Sequence, residues 1–400
     1  MTVRGKKGVQ HLQAEVLAAN ACTSCGTCVG LCPYIKAARD RVTVIHDCGL
    51  TEGVCYQVCP RGETDLAELD SAVFGEPRSD HLLGHHTGVL MARSLLAAVR
   101  QRGQYGGVVS TLAILAREAS QVDALVMTGS RAGPVPEGRL AWSNEEILAC
   151  AGSKYAAAPS MAALNRALAL DSTAFLSRDR GPAPDSTAFL ARDRGLATTK
   201  PSLGVVGRPC QITGLRKLQA VADNPAAERV KLAIGLFCFW ALSFRFHDLL
   251  AKLAPLSTIS KVDIPPGGLV LQTTRGTLTA PLDDIRAYIK PACDLCFDVT
   301  AELADVSVGA TEFDPEWNTL LPRTNRGQAL VDKAVADRLL EVKPLPPDRV
   351  AILREVVRAK KARVLKALAE RGDSYLKVGD DCRTPILEGG GADEHQASAT

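Results

Sequence analysis

The strongest constraint on this chain is the run CTSCGTCVGLCP at residues 22–33, where Cys22, Cys25, Cys28 and Cys32 stand at C-x2-C-x2-C-x3-C spacing before Pro33. A bacterial ferredoxin wraps a 4Fe-4S cubane with this run. Steps of three residues in a tight loop containing Gly26 let successive thiolates converge on three corners of one cube, while the cysteine before the proline points toward a second. Zinc is the simpler alternative, but zinc sites usually pair two short C-x2-C units.

The second half of the motif is irregular. Cys55 and Cys59, before Pro60, repeat its end, but Gly49 and Glu52 stand where a regular repeat has cysteines. By ferredoxin logic Cys59 completes a first cluster with Cys22, Cys25 and Cys28, which leaves Cys32, Cys48 and Cys55 for a second. Three thiolates suffice if Glu52, Asp47, His46 or an outside group supplies the fourth ligand. Otherwise Cys48 and Cys55 are small buried residues.

The 400 residues carry 47 Lys and Arg against 44 Asp and Glu, and a net charge of +3 supplies no field that would favour nucleic acid as a partner. The N-terminus has no apolar block of the secretory kind. The longest apolar run, residues 232–242, falls well short of the roughly 20 residues of a membrane helix. A cytoplasmic protein without a transmembrane segment is expected, in which clustered cysteines act as metal ligands and not as disulfides.

Beyond Glu63 the chain alternates helical and strand patterns. Residues 88–104 have helical apolar spacing and lead through Gly106 and Gly107 into a second helix. That turn either presents helix N–H groups to a phosphate or serves tight helix packing. DALVMTG (123–129), SLGVVGRPC (202–210) and VKLAIGLFC (230–238) read as strands, the last two ending at Cys210 and Cys238. Between them, residues 147–168 form two helical stretches around a loop, Gly152-Ser153-Lys154-Tyr155. Such alternation implies an α/β sheet with ligands at the carboxyl ends of its strands. DSTAFLSRDRG at 171 recurs as DSTAFLARDRG at 185, an internal duplication (171–195) expected to be an exposed insertion. Residues 349–372 form a basic amphipathic helix that could dock a partner, with a solvated charged face as the simpler reading.

Cys293 and Cys296 in PACDLCFDVTAELADVSVG form a lone C-x2-C, compatible with zinc, a redox pair or neither. With Cys210 and Cys238 they complete a four-thiolate set drawn from distant segments.

Taken together, DCGLTEGVCYQVCPR, QYGGVVSTL, GSKY, GRPCQITGLRKLQ, GLFC, CDLCFDVTAELADVSVG and WNTLLPRTNRG resemble the coenzyme F420 hydrogenase/dehydrogenase beta-subunit family. That family includes flavin and iron–sulfur subunits of F420-reducing hydrogenase, formate dehydrogenase and F420H2 dehydrogenase, and is similar to 7-hydroxymethyl chlorophyll a reductase. The resemblance spans roughly residues 20–330. It implies FAD near Gly106, Gly107 and the Gly152–Tyr155 loop, with Lys154 steadying negative charge on the reduced flavin. It also implies that Cys210, Cys238, Cys293 and Cys296 share a cluster. Arg208 stands where the family more often has threonine, and the duplicated insertion has no counterpart in the pattern.

The expected fold is an α/β flavin-binding domain (67–330) behind an N-terminal ferredoxin-like 4Fe-4S segment (1–66), with a C-terminal helical extension (331–386) and a disordered tail (387–400). The implied function is an FAD-dependent oxidoreductase with two or three 4Fe-4S clusters. It would exchange hydride with coenzyme F420 and pass single electrons to a redox partner subunit of hydrogenase, formate dehydrogenase or heterodisulfide-reductase-like type. Alternatives are NAD(P)H as hydride partner, direct reduction of an organic substrate, or a pure electron relay; the absence of a G-x-G-x-x-G run weighs against nicotinamide bound in Rossmann fashion.

Overall fold

The computed structural model describes residues 7–131, 133–169, 200–222, 224–372 and 375–388. The duplicated insertion and residues 389–400 of the tail lie outside the described residues. After the cysteine run, β1 (Ile35–Ala38) and β2 (Arg41–Val44) form an antiparallel hairpin with Ile35 opposite Val44. A two-residue strand, β3 (Thr64–Asp65), leads into α1 (Leu66–Phe74). The Asp65 carboxylate accepts the N–H groups of Ala67 and Glu68, and left-handed Gly75 ends the helix.

The large sheet follows. Its members are β4 (Leu90–Ser94), β5 (Ala124–Ser130), β6 (Pro136–Ala141), β7 (Leu203–Gly207), β8 (Val230–Leu236), β12 (Val306–Ala310), β13 (Asn318–Pro322) and β14 (Leu340–Pro344), in the order β14-β4-β13-β12-β8-β7-β5-β6. β5, β7, β8 and β12 are mutually parallel, and the pairs β5–β6, β12–β13, β13–β4 and β4–β14 are antiparallel. The continuous apolar runs in β7 and β8 follow from burial on both faces. Helices α2 (Val108–Glu118), α3 (Asn144–Ala149), α4 (Met161–Ala169) and α5 (Pro209–Ala220) connect these strands. A smaller layer, α6 (Phe246–Leu253) with the meander β9 (Ile259–Asp263), β10 (Leu269–Thr273) and β11 (Gly276–Ala280), has its own apolar cluster around Leu250, Leu269 and Ile285.

Residues 88–104, read as one helix, instead split into β4 and a short helix, Ala97–Arg102. Pairing of Leu90, Met91 and Ala92 with both β13 and β14 overrides the local helical spacing. The boundary expected after residue 330 falls inside α7 (Asn325–Ala336), and β14 beyond it is the edge strand of the large sheet.

The C-terminal part is α8 (Pro347–Arg371), β15 (Leu376–Lys377) and α9 (Asp380–Glu388). Pro347 in the first turn and left-handed Gly372 at the end bound α8. Its inward face buries Val357, Val364, Leu365 and Leu368, as expected of an amphipathic helix, but also Lys360 and Lys361, which the expected solvated charged face did not include. β15 pairs in parallel with β3, so the C-terminus is laced to the N-terminal segment. Val16, Ile35, Val205, Ile212, Val364 and Ile386 belong to one buried cluster, so the N-terminal segment, the sheet and the C-terminal helices share a core.

Candidate functional site

Chain direction brings four cysteines to the carboxyl edge of the parallel strands. β7 ends at Gly207, Arg208 caps α5, and Pro209 occupies its first turn, which places Cys210 at the start of that helix. Cys238 follows β8 by two residues and is held by its N–H to Val299 O at 2.8 Å. Cys293 and Cys296 lie on the 3-10 turn Pro291–Leu295 and just after it, with Cys296 N bonded to Cys293 O at 3.1 Å.

Burial raises the thiol of Cys238 to about 12, against the pull of Arg208 and Lys360. Burial also raises Cys210 and Cys293. Cys296 goes the other way. Burial is its largest influence, yet Lys360 and Arg61 together outweigh it and hold the thiol below its ordinary value. These four thiols are electrostatic neighbours, Cys210 of Cys296 and Cys238 of both Cys293 and Cys210. Ala241 N donates to the Cys293 sulfur at 3.2 Å.

The N-terminal cysteines form two further groups. Cys22 is raised to about 12 by burial, with Cys25 and Cys59 adding to the shift; Cys28 is raised well above its ordinary value by burial and then by Cys59, Cys25 and Cys22. Cys55 is raised to about 11 by burial, with Cys32 and Cys48 as its thiol neighbours. The groups adjoin one another. Cys25 acts on Cys210 of the core set, and Cys55 acts on Cys28. The three groups are therefore electrostatic neighbours in succession, the core set through Cys25 to the second and Cys28 through Cys55 to the third.

The glycine turn and the Gly152 loop reach the same edge. A Cβ on Gly106 would meet Ala92 O at 2.8 Å and Asn318 Oδ1 at 3.0 Å, and Gly107 caps α2 in the left-handed region at φ 72°. One first-turn donor of α2, Val108 N, is given to Asn318 Oδ1 at 3.3 Å. Close packing against β4 and β13 thus accounts for Gly106. Tyr105 beside it is an electrostatic neighbour of Asp263 and Glu312, and Tyr155 of both Asp263 and Tyr105. The Tyr155 hydroxyl donates to Asp263 Oδ1 at 2.8 Å. Burial and Asp263 raise the Glu312 carboxyl.

Gly152 has φ +82° and Ser153 is exposed. Lys154 folds its ammonium back onto the carbonyls of Cys150, Ala151 and Gly152 at 2.7, 2.6 and 2.9 Å, the end of α3. Burial lowers its pKa to about 8.

Three cations at the core thiols were not read from sequence as site residues. Arg208 was noted only as a departure from a pattern, Arg61 stood unremarked after Pro60, and Lys360 lay within the basic helix. Helical spacing at Val357, Lys360, Val364 and Leu368 was the available signal, since it puts the lysine on the apolar stripe. A separate cavity of ≈ 700 Å³ opens at the amino edge of the parallel strands, lined by His85, His86, Arg216, Asp305 and Arg326. Among the described residues no helix is long and apolar enough to cross a membrane.

Residues 89–165 match the family described as coenzyme F420 hydrogenase/dehydrogenase, beta subunit N-term, and residues 201–348 match the C terminus of that same beta subunit. The chain is 27% identical to a coenzyme F420 hydrogenase subunit beta of Methanothermobacter thermautotrophicus over 74% of its length and 98% of the relative. Against a subunit of the F(420)H(2) dehydrogenase of Methanosarcina mazei the identity is 26%, over 80% of this chain and 84% of the relative. Among solved structures it is similar to a chain of the F420-reducing [NiFe] hydrogenase complex from Methanosarcina barkeri, with TM-score 0.61 and 26% identity, covering 73% of this chain and 94% of that one. With both family segments matched in order across more than half of its length, the chain belongs to the coenzyme F420 hydrogenase/dehydrogenase beta-subunit family and is an oxidoreductase electron-transfer subunit.

Proposed function

We propose that this protein exchanges hydride with coenzyme F420 at an FAD held on the carboxyl edge of its sheet, and exchanges single electrons with a partner redox subunit through 4Fe-4S clusters on its thiol sets. The observation that carries this reading is the unbroken adjacency of thiols from Cys210 through Cys25 and Cys28 to Cys55. Such a line has no use in a protein that completes its chemistry at one site.

Cys210, Cys238, Cys293 and Cys296 would hold the core cluster, and Cys22, Cys25, Cys28 and Cys59 the next. Cys32, Cys48 and Cys55 would hold a third with one further ligand. The donor set fits. Thiolates at ferredoxin spacing in the N-terminal segment, and four at the edge of the sheet, match the ligation of 4Fe-4S clusters.

For the flavin, Gly107, Gly152, Ser153 and Tyr155 border the edge where Tyr105, Asp263 and Glu312 converge. A flavin supplies the conversion between two-electron hydride and one-electron transfer. Lys154 keeps a positive charge beside that loop, steadying negative charge through its field while its donors grip the α3 carbonyls. The named partners of the relatives, hydrogenase and F420H2 dehydrogenase assemblies, support a partner subunit here.

Iron, sulfide and flavin content of anaerobically purified protein tests the reading. About eight irons per chain correspond to two clusters and about twelve to three. Reduction of the bound flavin by reduced F420 but not by NADH is the expected outcome. Protein lacking flavin and labile sulfide overturns the proposal.

A further inference from the structure

Cations from three distant parts of the chain act on the four core thiols, and two of them, Arg61 and Lys360, are buried. Arg208 arrives with Cys210 at the start of α5 and acts on Cys210, Cys238 and Cys293. Arg61 arrives from the end of the N-terminal cysteine segment. It is 6% exposed, lies close enough to act on Cys296, and gives Nη2 to Ala292 O at 3.2 Å. Lys360 arrives from α8. It is 4% exposed and donates to Cys238 O at 3.0 Å and Asp298 O at 3.3 Å.

The N-terminal sets have cations of their own: Lys217 donates to Cys59 O at 2.6 Å, and Arg208 acts on Cys25 as well. Cys22 feels Lys290, but that lysine is paired with the Asp40 carboxylate at 3.0 Å. For Cys55 the leading influences are burial, neighbouring backbone N–H groups and the thiols of Cys32 and Cys48. Asp298 places one carboxyl near the core set, and the cations outnumber it.

Four thiolates on a cubane leave a net negative charge, and each added electron makes it more negative by one. A fixed cation in a low-dielectric setting favours that added electron, so charge around a cluster sets its potential. Placing three cations, two of them buried, beside one thiol set without full carboxylate pairing is costly to folding. Their convergence on one thiol set therefore needs a compensating negative group, which protonated thiols do not supply.

We propose that Lys360, together with Arg61 and Arg208, tunes the core cluster upward in reduction potential. The proposal rests on the reading that Cys210, Cys238, Cys293 and Cys296 hold a 4Fe-4S cluster. Reduction adds one electron, drawn from the flavin in turnover or from dithionite in the test, and no bond or proton need move. The family match ends at residue 348, so Lys360 is a contribution from beyond the matched region. It is a positioning residue of charge and touches no substrate.

The test is a redox titration of the full-length, anaerobically purified protein followed by electron paramagnetic resonance. Cys293→Ser identifies the core signal by its loss. Lys360→Gln removes the charge while keeping a hydrogen-bond donor, and Lys360→Arg restores the charge. The core signal of Lys360→Gln should persist with its reduction equilibrium weakened at least tenfold, a fall of about 59 mV for one electron. Lys360→Arg should stay near wild type, and the other signals should not move. A core signal of Lys360→Gln at the wild-type potential overturns the proposal and leaves the cluster reading intact. If Lys360→Gln fails to load iron, Lys360→Met in the same titration decides: a core signal at the wild-type potential overturns the proposal. Should Cys293→Ser change neither iron content nor any signal, the cluster reading itself falls.

Discussion

The backbone carbonyl of Cys25 accepts a hydrogen bond from Met161 N at 3.1 Å, so the loop that presents the first thiols is fastened to the start of α4. From the same helix, Asn165 Nδ2 reaches Thr27 O at 2.6 Å and Val29 O at 2.8 Å. The cysteine loop is therefore shaped by the sheet domain as much as by its own spacing, and Cys25 is left facing both its own set and Cys210.

Gly26 makes this contact possible. A Cβ there would sit 2.4 Å from Pro159 O, and the residue's φ is +88°. Gly26→Ala should destabilise the protein by at least about 1–3 kcal/mol, the usual cost of a strained backbone position. Thermal unfolding should show the loss, together with reduced iron content per chain.

Lys217 of α5 is buried and donates to Cys59 O at 2.6 Å, Glu63 O at 2.7 Å and Thr64 Oγ1 at 2.9 Å. Lys217→Met strands these acceptors in the core. Each unsatisfied buried group costs about 1–3 kcal/mol, so a total loss of at least ~2 kcal/mol is expected in urea unfolding.

Asp80 ties α8 to the segment before β4, accepting from Leu82 N at 2.9 Å, Leu83 N at 3.0 Å and the Arg354 guanidinium. Burial alone would raise this carboxyl. The Arg354 hydrogen bond and the two N–H groups outweigh it and hold it below the ordinary carboxylate value. A depressed folded pKa stabilises the protein above the unfolded value of about 3.9, and the benefit is lost as pH falls through the lower folded value. Asp80→Asn should therefore cost about 1–3 kcal/mol at pH 7. The gap between variant and wild type should close in acid, measured by urea unfolding across the two conditions.

Lys154 separates two roles by substitution. Lys154→Met removes the donors that close the end of α3, and should cost about 1–2 kcal/mol in unfolding while lowering retained flavin. Lys154→Arg keeps the charge and should keep flavin reducible near the wild-type potential. Equal flavin potentials in the Met and Arg variants would show that its charge is not used.

The proposed grouping of the N-terminal thiols comes from spacing, because the C-x2-C-x2-C-x3-C run is a local constraint with few geometric solutions. The strands ending at Cys210 and Cys238 were legible too, since burial on both faces writes continuous apolar runs. β4 was not legible. Its residues carry helical spacing, and only the partners on either side, 220 residues or more away in sequence, make them a strand.

What the sequence by itself determined is the inventory of thiols, their local order and the family to which the chain belongs. Tertiary structure alone decided which charges reach them. Arg61, Arg208 and Lys360 come from separate segments, and no spacing rule links a lysine on α8 to a cysteine after β8. A basic helix reads as solvated until its apolar stripe finds a core, and only packing then drives Lys360 inward, where low dielectric lets its charge act on the core thiols.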